Sequence, residues 1–167
     1  NLLRAFDAST DGVYLRTPLA AMGQNVYNSP TVFNYYQQDY VVPGTSLAGP
    51  PFQIFDATSY FARTNFTYSM IFHATCDTGT AISPSICGAA PDATVFQAVG
   101  TKINWQPFKP LAIDPVQLVD TMSLRLLHER LPRALRTQAI NAVAAVALSA
   151  TPTQTQLLDR VRAAAYV

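Results

Sequence analysis

Apolar positions recur at helical spacing most clearly in the last third of the chain. Leu118, Val119, Met122 and Leu126 form one stripe. It follows Asp114-Pro115-Val116-Gln117, an N-cap residue with proline at the first helical position and glutamine three residues on. Leu135, Ala139, Val143 and Val146 form a second stripe after Pro132. Leu157, Leu158, Val161, Ala164 and Ala165 form a third, behind a capping box at Thr151-Pro152-Thr153-Gln154. Helices are expected near 115–127, 132–149 and 152–167. Their short connections predict an antiparallel helical bundle, and this unit, residues 114–167, is expected to be the most stable part.

Upstream the pattern is less regular. Residues 1–29 read as broken helices, with a turn at Asp11-Gly12 and a short helix from Tyr14 to Met22 ended by Gly23. Residues 30–55 are rich in Pro, Gly and Tyr, and their prolines forbid a long helix. An ordered irregular loop is expected there. A helix follows over 56–72, capped by Asp56, with Phe61, Asn65, Tyr68 and Phe72 at three- and four-residue steps. Residues 73–110 hold a cysteine loop and then one or two short strands between Thr94 and Asn104. The fold class is therefore mainly α: a single domain with a long aromatic loop and a small loop closed by cysteines.

Composition changes this picture in one respect. Hydrophobic residues make up 49% of the 167 positions and charged residues 13%, against a usual charged share of about 25%. So few charges leave little polar surface to cover a lone globule, and part of the surface is expected to be covered by something else. Both ends read as interrupted helices, so the chain is expected to be a fragment whose partner is the missing N-terminal part of the same protein. Self-association or another exported protein is the further expectation. A net charge of +1 argues against nucleic acid as a partner. No run of about 18 apolar residues occurs that would predict a membrane span.

Candidate chemistry is sparse. Cys76 and Cys87 flank a loop of small residues and turn formers. The pair reads as a disulfide that would contribute roughly 3 kcal/mol and imply an oxidising compartment; two reduced thiols that never meet are the alternative. His73, Cys76, Cys87 and His128 lack zinc-site spacing, so no metal or cofactor is expected. His128 reads as a residue at a helix C-terminus. No Gly-x-Ser-x-Gly elbow occurs, and Gly100-Thr101-Lys102 lacks the rest of a phosphate loop. Among the scattered carboxylates only Asp39, set among tyrosines, has no evident structural task.

The crowd of Phe33, Tyr35, Tyr36, Tyr40, Phe52 and Phe55 is the one feature above background. It is read first as a clamp, the rings pinning a proline-rich loop onto the helices, with Phe33 and Phe52 as anchors. The other reading is a binding surface for a sugar or a protein, because tyrosine offers a rigid face with a polar tip. Tyr35, Tyr36, Asp39 and Tyr40 are the binding candidates. At most one of Tyr35 and Tyr36 is expected to be fully buried.

These segments also carry a resemblance. Ser29-Pro30-Thr31-Val32-Phe33-Asn34-Tyr35-Tyr36, Asp39-Tyr40-Val41-Val42-Pro43-Gly44 and Pro51-Phe52-Gln53-Ile54 resemble, in order, motifs from the C-terminal region of the bacterial family catalogued as domain of unknown function 1800. So do Ala62-Arg63-Thr64-Asn65-Phe66 and Asp114-Pro115-Val116-Gln117-Leu118-Val119-Asp120. Pro51 stands where the family pattern has an acid before Phe-Gln. The resemblance implies a large exported protein, hence a periplasmic or extracellular location, and supplies no catalytic residues. The expected function is a structural or interaction domain. The alternatives are part of a hydrolase or carbohydrate-active enzyme, or a carbohydrate-binding module using the aromatic loop.

Overall fold

The computed structural model describes residues 2–10, 15–72 and 101–167, and it is mainly helical. The cysteine loop with Cys76 and Cys87 lies outside the described residues, as do His73 and Gly100. Six α-helices are described: α1 (Leu2–Ala5), α2 (Arg16–Ala21), α3 (Ala57–Phe72), α4 (Pro115–Leu127), α5 (Arg133–Ala145) and α6 (Gln154–Tyr166). Two 3-10 helices span Pro50–Ile54 and Gln106–Ile113. Two-residue strands β1 (Ser9–Thr10) and β2 (Thr101–Lys102) pair antiparallel. The first of these falls in the segment expected to be broken helix.

The C-terminal helices contact one another pairwise, and α6 also packs on α3 and on the second 3-10 helix. The stripe expected on α4 is buried, Leu118 completely and Val119 and Met122 nearly so. On α6 the expected stripe also faces inward, with Val161 fully buried. Burial of each such side chain contributes about 1.5–3 kcal/mol. On α5 the stripe is Ala139 and Val143, whereas Leu135 stands half in solvent.

The end of α5 and the start of α6 differ from expectation for physical reasons. Thr153, not Thr151, caps α6: its hydroxyl accepts from Gln156 N–H at 3.2 Å, and the Gln156 side-chain oxygen accepts from Thr153 N–H at 2.9 Å. Thr-x-x-Gln occurs in two overlapping frames, and the Ser149 hydroxyl, 3.0 Å from the same Gln156 oxygen, favours the second. Helix α5 stops at Ala145, short of 149, because Arg160 takes over its C-terminal carbonyls. The guanidinium donates to Val146 O (Nε, 3.0 Å), to Ala144 O (3.5 Å) and to Ala112 O of the 3-10 helix (3.2 Å). Arg160 is itself buried. It thus places its charge against the negative ends of two helices.

Helix α4 carries its expected cap. The Asp114 carboxylate accepts from Val116 N–H and Gln117 N–H, but the reciprocal half of a capping box is replaced, since Asp114 N–H donates to Leu111 O. His128 ends the helix in the left-handed region (φ 51°). Asp120 on α4 takes a two-pronged bond from Arg136 on α5, at 2.6 and 2.8 Å.

The core runs from these helices to the start of the chain. Phe6, Trp105 and Phe108 are buried and pack ring on ring, Phe6 lying 4.9 Å from Trp105 and 5.3 Å from Phe108. Phe6 enters this cluster because α1 stops after one turn: Asp7 adopts φ 47°, and Asp7 N–H and Ala8 N–H return to Arg4 O and Leu3 O. Arg125 of α4 then ties the turn down through Ala5 O and the Asp7 carboxylate. The same C-terminal motif ends α2, where Gly23 (φ 75°) and Gln24 donate to Ala20 O and Leu19 O.

Two outcomes follow from this packing. Arg160→Met leaves the buried Ala112 carbonyl without its donor and unties the end of α5. A loss of about 3 kcal/mol in urea unfolding is expected, and a variant within about 0.5 kcal/mol of the parent would show that Arg160 is dispensable. In native-state hydrogen exchange the amides of α4 and α6 should be the slowest, because these helices bury residues on successive turns; slower exchange over 30–55 would reverse that order.

Candidate functional site

The aromatic loop is held by hydrogen bonds rather than by buried rings. Val42-Pro43-Gly44-Thr45 forms a tight turn closed by Thr45 N–H to Val42 O at 3.1 Å, with Gly44 at φ 78°, as proline followed by glycine favours. Val42 N–H to Leu47 O and Gly49 N–H to Tyr40 O, both 3.0 Å, extend it. Gly49 leaves no room for a side chain, since a Cβ there would sit 2.7 Å from Val42 Cγ2. Further back, the Tyr35 hydroxyl donates to Asn25 O, and Gln37 N–H donates to the Gln53 side chain at 2.6 Å.

This overturns the clamp. Phe33 is 68% exposed and Phe52 62%, so neither anchors the loop by burial. The reason is geometric: the loop satisfies its backbone through turns and side-chain amides, and Phe33 and Phe52 stay at the surface. The stripe expected on α3 is corrected in the same way. Phe61, Asn65 and Tyr68 face outward, and the helix enters the core through Met70 and Ile71.

The four binding candidates separate. Tyr35 and Tyr36, both half-buried, line a groove of about 590 Å³ together with Gln24, Tyr27, Ser29 and Asn34. Asp39 lines a second groove of about 400 Å³ with Phe33, Gln37 and Gln38. Tyr40, half-buried, lines neither. Among the described residues, no arginine or histidine lines the groove beside Asp39.

A second surface adjoins the loop in sequence. Phe55, Tyr60 and Phe61 meet edge to face at 6.0 and 5.6 Å, and Arg63 lies over the Phe55 ring at 5.5 Å. All three rings are more than half exposed. Asp56 builds this arrangement by starting α3. Its carboxylate accepts from Ser59 N–H at 2.7 Å, and its own N–H donates to the Ser59 hydroxyl at 3.0 Å. The bond from Ser59 N–H holds the Asp56 pKa below the ordinary carboxylate value, against desolvation, with help from Thr58 N–H and the charge on Arg63.

Sequence reasoning missed Gln24, Gln37, Gln38, Tyr60 and Arg63. One signal was available: Asp39 is the only charged residue between Arg16 and Asp56, an unusually long interval for a surface segment.

The described chain is thus a helical domain that presents a hydrogen-bonded aromatic loop. It belongs to the family described as protein of unknown function (DUF1800), whose sequence profile matches residues 1–166. No curated protein and no solved structure matches it.

The Asp56 cap yields a pH test. Its lowered folded pKa means its contribution is present above the unfolded carboxylate pKa of about 3.9 and is lost as pH falls through the folded value. Asp56→Ala should therefore lower the melting temperature at pH 7, and the gap to the parent should narrow on acidification to pH 2.5. A gap that stays constant would remove charge from the explanation.

Proposed function

We propose that this chain is an interaction domain of a periplasmic or extracellular bacterial protein, docking on protein through the aromatic ladder at the start of α3. The observation that carries the reading is that ladder: Phe55, Tyr60 and Phe61 stand in solvent, stacked edge to face, with Arg63 on Phe55. Aromatic rings and arginine are the residues that concentrate binding energy at interface centres. The partner is the remaining part of a longer parent chain, following the resemblance of these motifs to a C-terminal region. Self-association is the outcome when that part is missing, and a second exported protein is the other candidate. The three C-terminal helices, arranged as an antiparallel bundle, act as the scaffold. A share in hydrolase or carbohydrate-active chemistry would draw on Asp39, but an arginine or histidine beside it is the feature that reading needs.

Phe55→Ser/Phe61→Ser in the chain expressed alone tests the proposal. Light scattering of the parent should show association that rises with concentration, and the double variant should be monomeric. Both rings are exposed, so its unfolding free energy should stay within about 1 kcal/mol of the parent, allowing about 0.5 kcal/mol for each surface substitution. A parent that is monomeric at every concentration, or a variant that associates as strongly, would set the ladder aside.

A further inference from the structure

The two grooves of the loop carry chemistry that the ladder does not. In the larger groove the rings of Tyr27, Tyr35 and Tyr36 stand beside the side chains of Gln24, Ser29 and Asn34. In the smaller one, Phe33 stands beside Gln37, Gln38 and Asp39. Their volumes, about 590 and 400 Å³, fall within the range of small-ligand sites, roughly 300–1,000 Å³. Consecutive residues line different grooves, Phe33 and Asn34 as well as Tyr36 and Gln37, so both grooves draw on one stretch of backbone. That stretch is fixed at two points, by the Tyr35 hydroxyl on Asn25 O and by Gln37 N–H on the Gln53 side chain. Fixing it before binding lowers the ordering cost of a ligand.

The lining selects a ligand class. Each ring offers an apolar face, and each amide offers a donor and an acceptor side by side. That pairing suits a molecule with apolar C–H faces and vicinal hydroxyls. Among the described residues, Asp39 is the only charged one lining either groove. A carboxylate accepts hydroxyl protons well and repels anions. We infer that the paired grooves are a binding site for a neutral oligosaccharide, one sugar ring against Tyr27 and Tyr36 and a neighbouring one against Phe33, with Gln38 and Asp39 taking its hydroxyls.

Affinity electrophoresis tests this, using gels that contain mixed-linkage β-glucan, glucomannan or polygalacturonate. At least one of the neutral polymers should retard the chain, and polygalacturonate should not. Tyr27→Ala and Gln38→Ala remove exposed side chains, so neither should alter the melting temperature. Each should weaken retardation at least tenfold. Passage through every neutral gel, equal retardation by polygalacturonate, or unchanged retardation of both variants would overturn the site. Retention of both variants on an immobilised peptide array, with none on the sugars, would assign the grooves to protein instead. The ladder variant Phe55→Ser/Phe61→Ser alters no groove-lining residue and should bind sugar normally, so this site and the docking surface fail separately.

Discussion

The guanidinium of Arg160 is the joint on which the architecture turns. It reaches the carbonyls that end α5 and the carbonyl of Ala112 in the preceding 3-10 helix. A buried cation is costly unless its donors are satisfied. Here the cost is offset by groups that would otherwise be orphans themselves, the last carbonyls of two helices. One side chain on α6 therefore fixes where α5 ends and where the 3-10 helix lies. Helix α6 can then present its other face to α4 and α3, and the aromatic cluster of Phe6, Trp105 and Phe108 closes against this frame.

Sequence periodicity was enough for the C-terminal helices because their stripes and caps agree. Leu118, Val119 and Met122 follow a strong cap, and the structure buries all three. It was not enough where a distant residue decides a boundary. Nothing near 146 says that α5 must stop there, since the cause sits fourteen residues later in Arg160. An arginine on an amphipathic helix reads as solvated until its acceptors are known. The overlapping Thr-x-x-Gln frames show a related limit: both satisfy the local pattern, and a tertiary contact from Ser149 distinguishes them.

The loop was legible as a place and misread as a mechanism. Its prolines excluded a long helix, and its crowding of rings marked it as unusual. The rings were assigned to burial because burial is the commonest use of an aromatic side chain. Backbone hydrogen bonds are invisible in composition, and they are what hold the segment: the turn at Pro43-Gly44, the bond from Gly49 to Tyr40, and the Gln53 side chain on Gln37. Once these carry the loop, the rings become available for contact. Glutamines, which sequence inspection passes over as generic polar residues, turn out to line both grooves.

The route of the core through the chain has a temporal consequence. Phe6 is synthesised well before its ring partners Trp105 and Phe108. The helix that unites the frame, α6, is the last one described. Contacts of such long sequence separation wait for the intervening chain to be made, and they slow folding. Phe6 therefore lacks its ring partners until Trp105 and Phe108 have emerged, and α5 lacks its closing joint until Arg160 has. A chain cut short before Arg160 lacks the side chain that closes α5 and holds the Ala112 carbonyl.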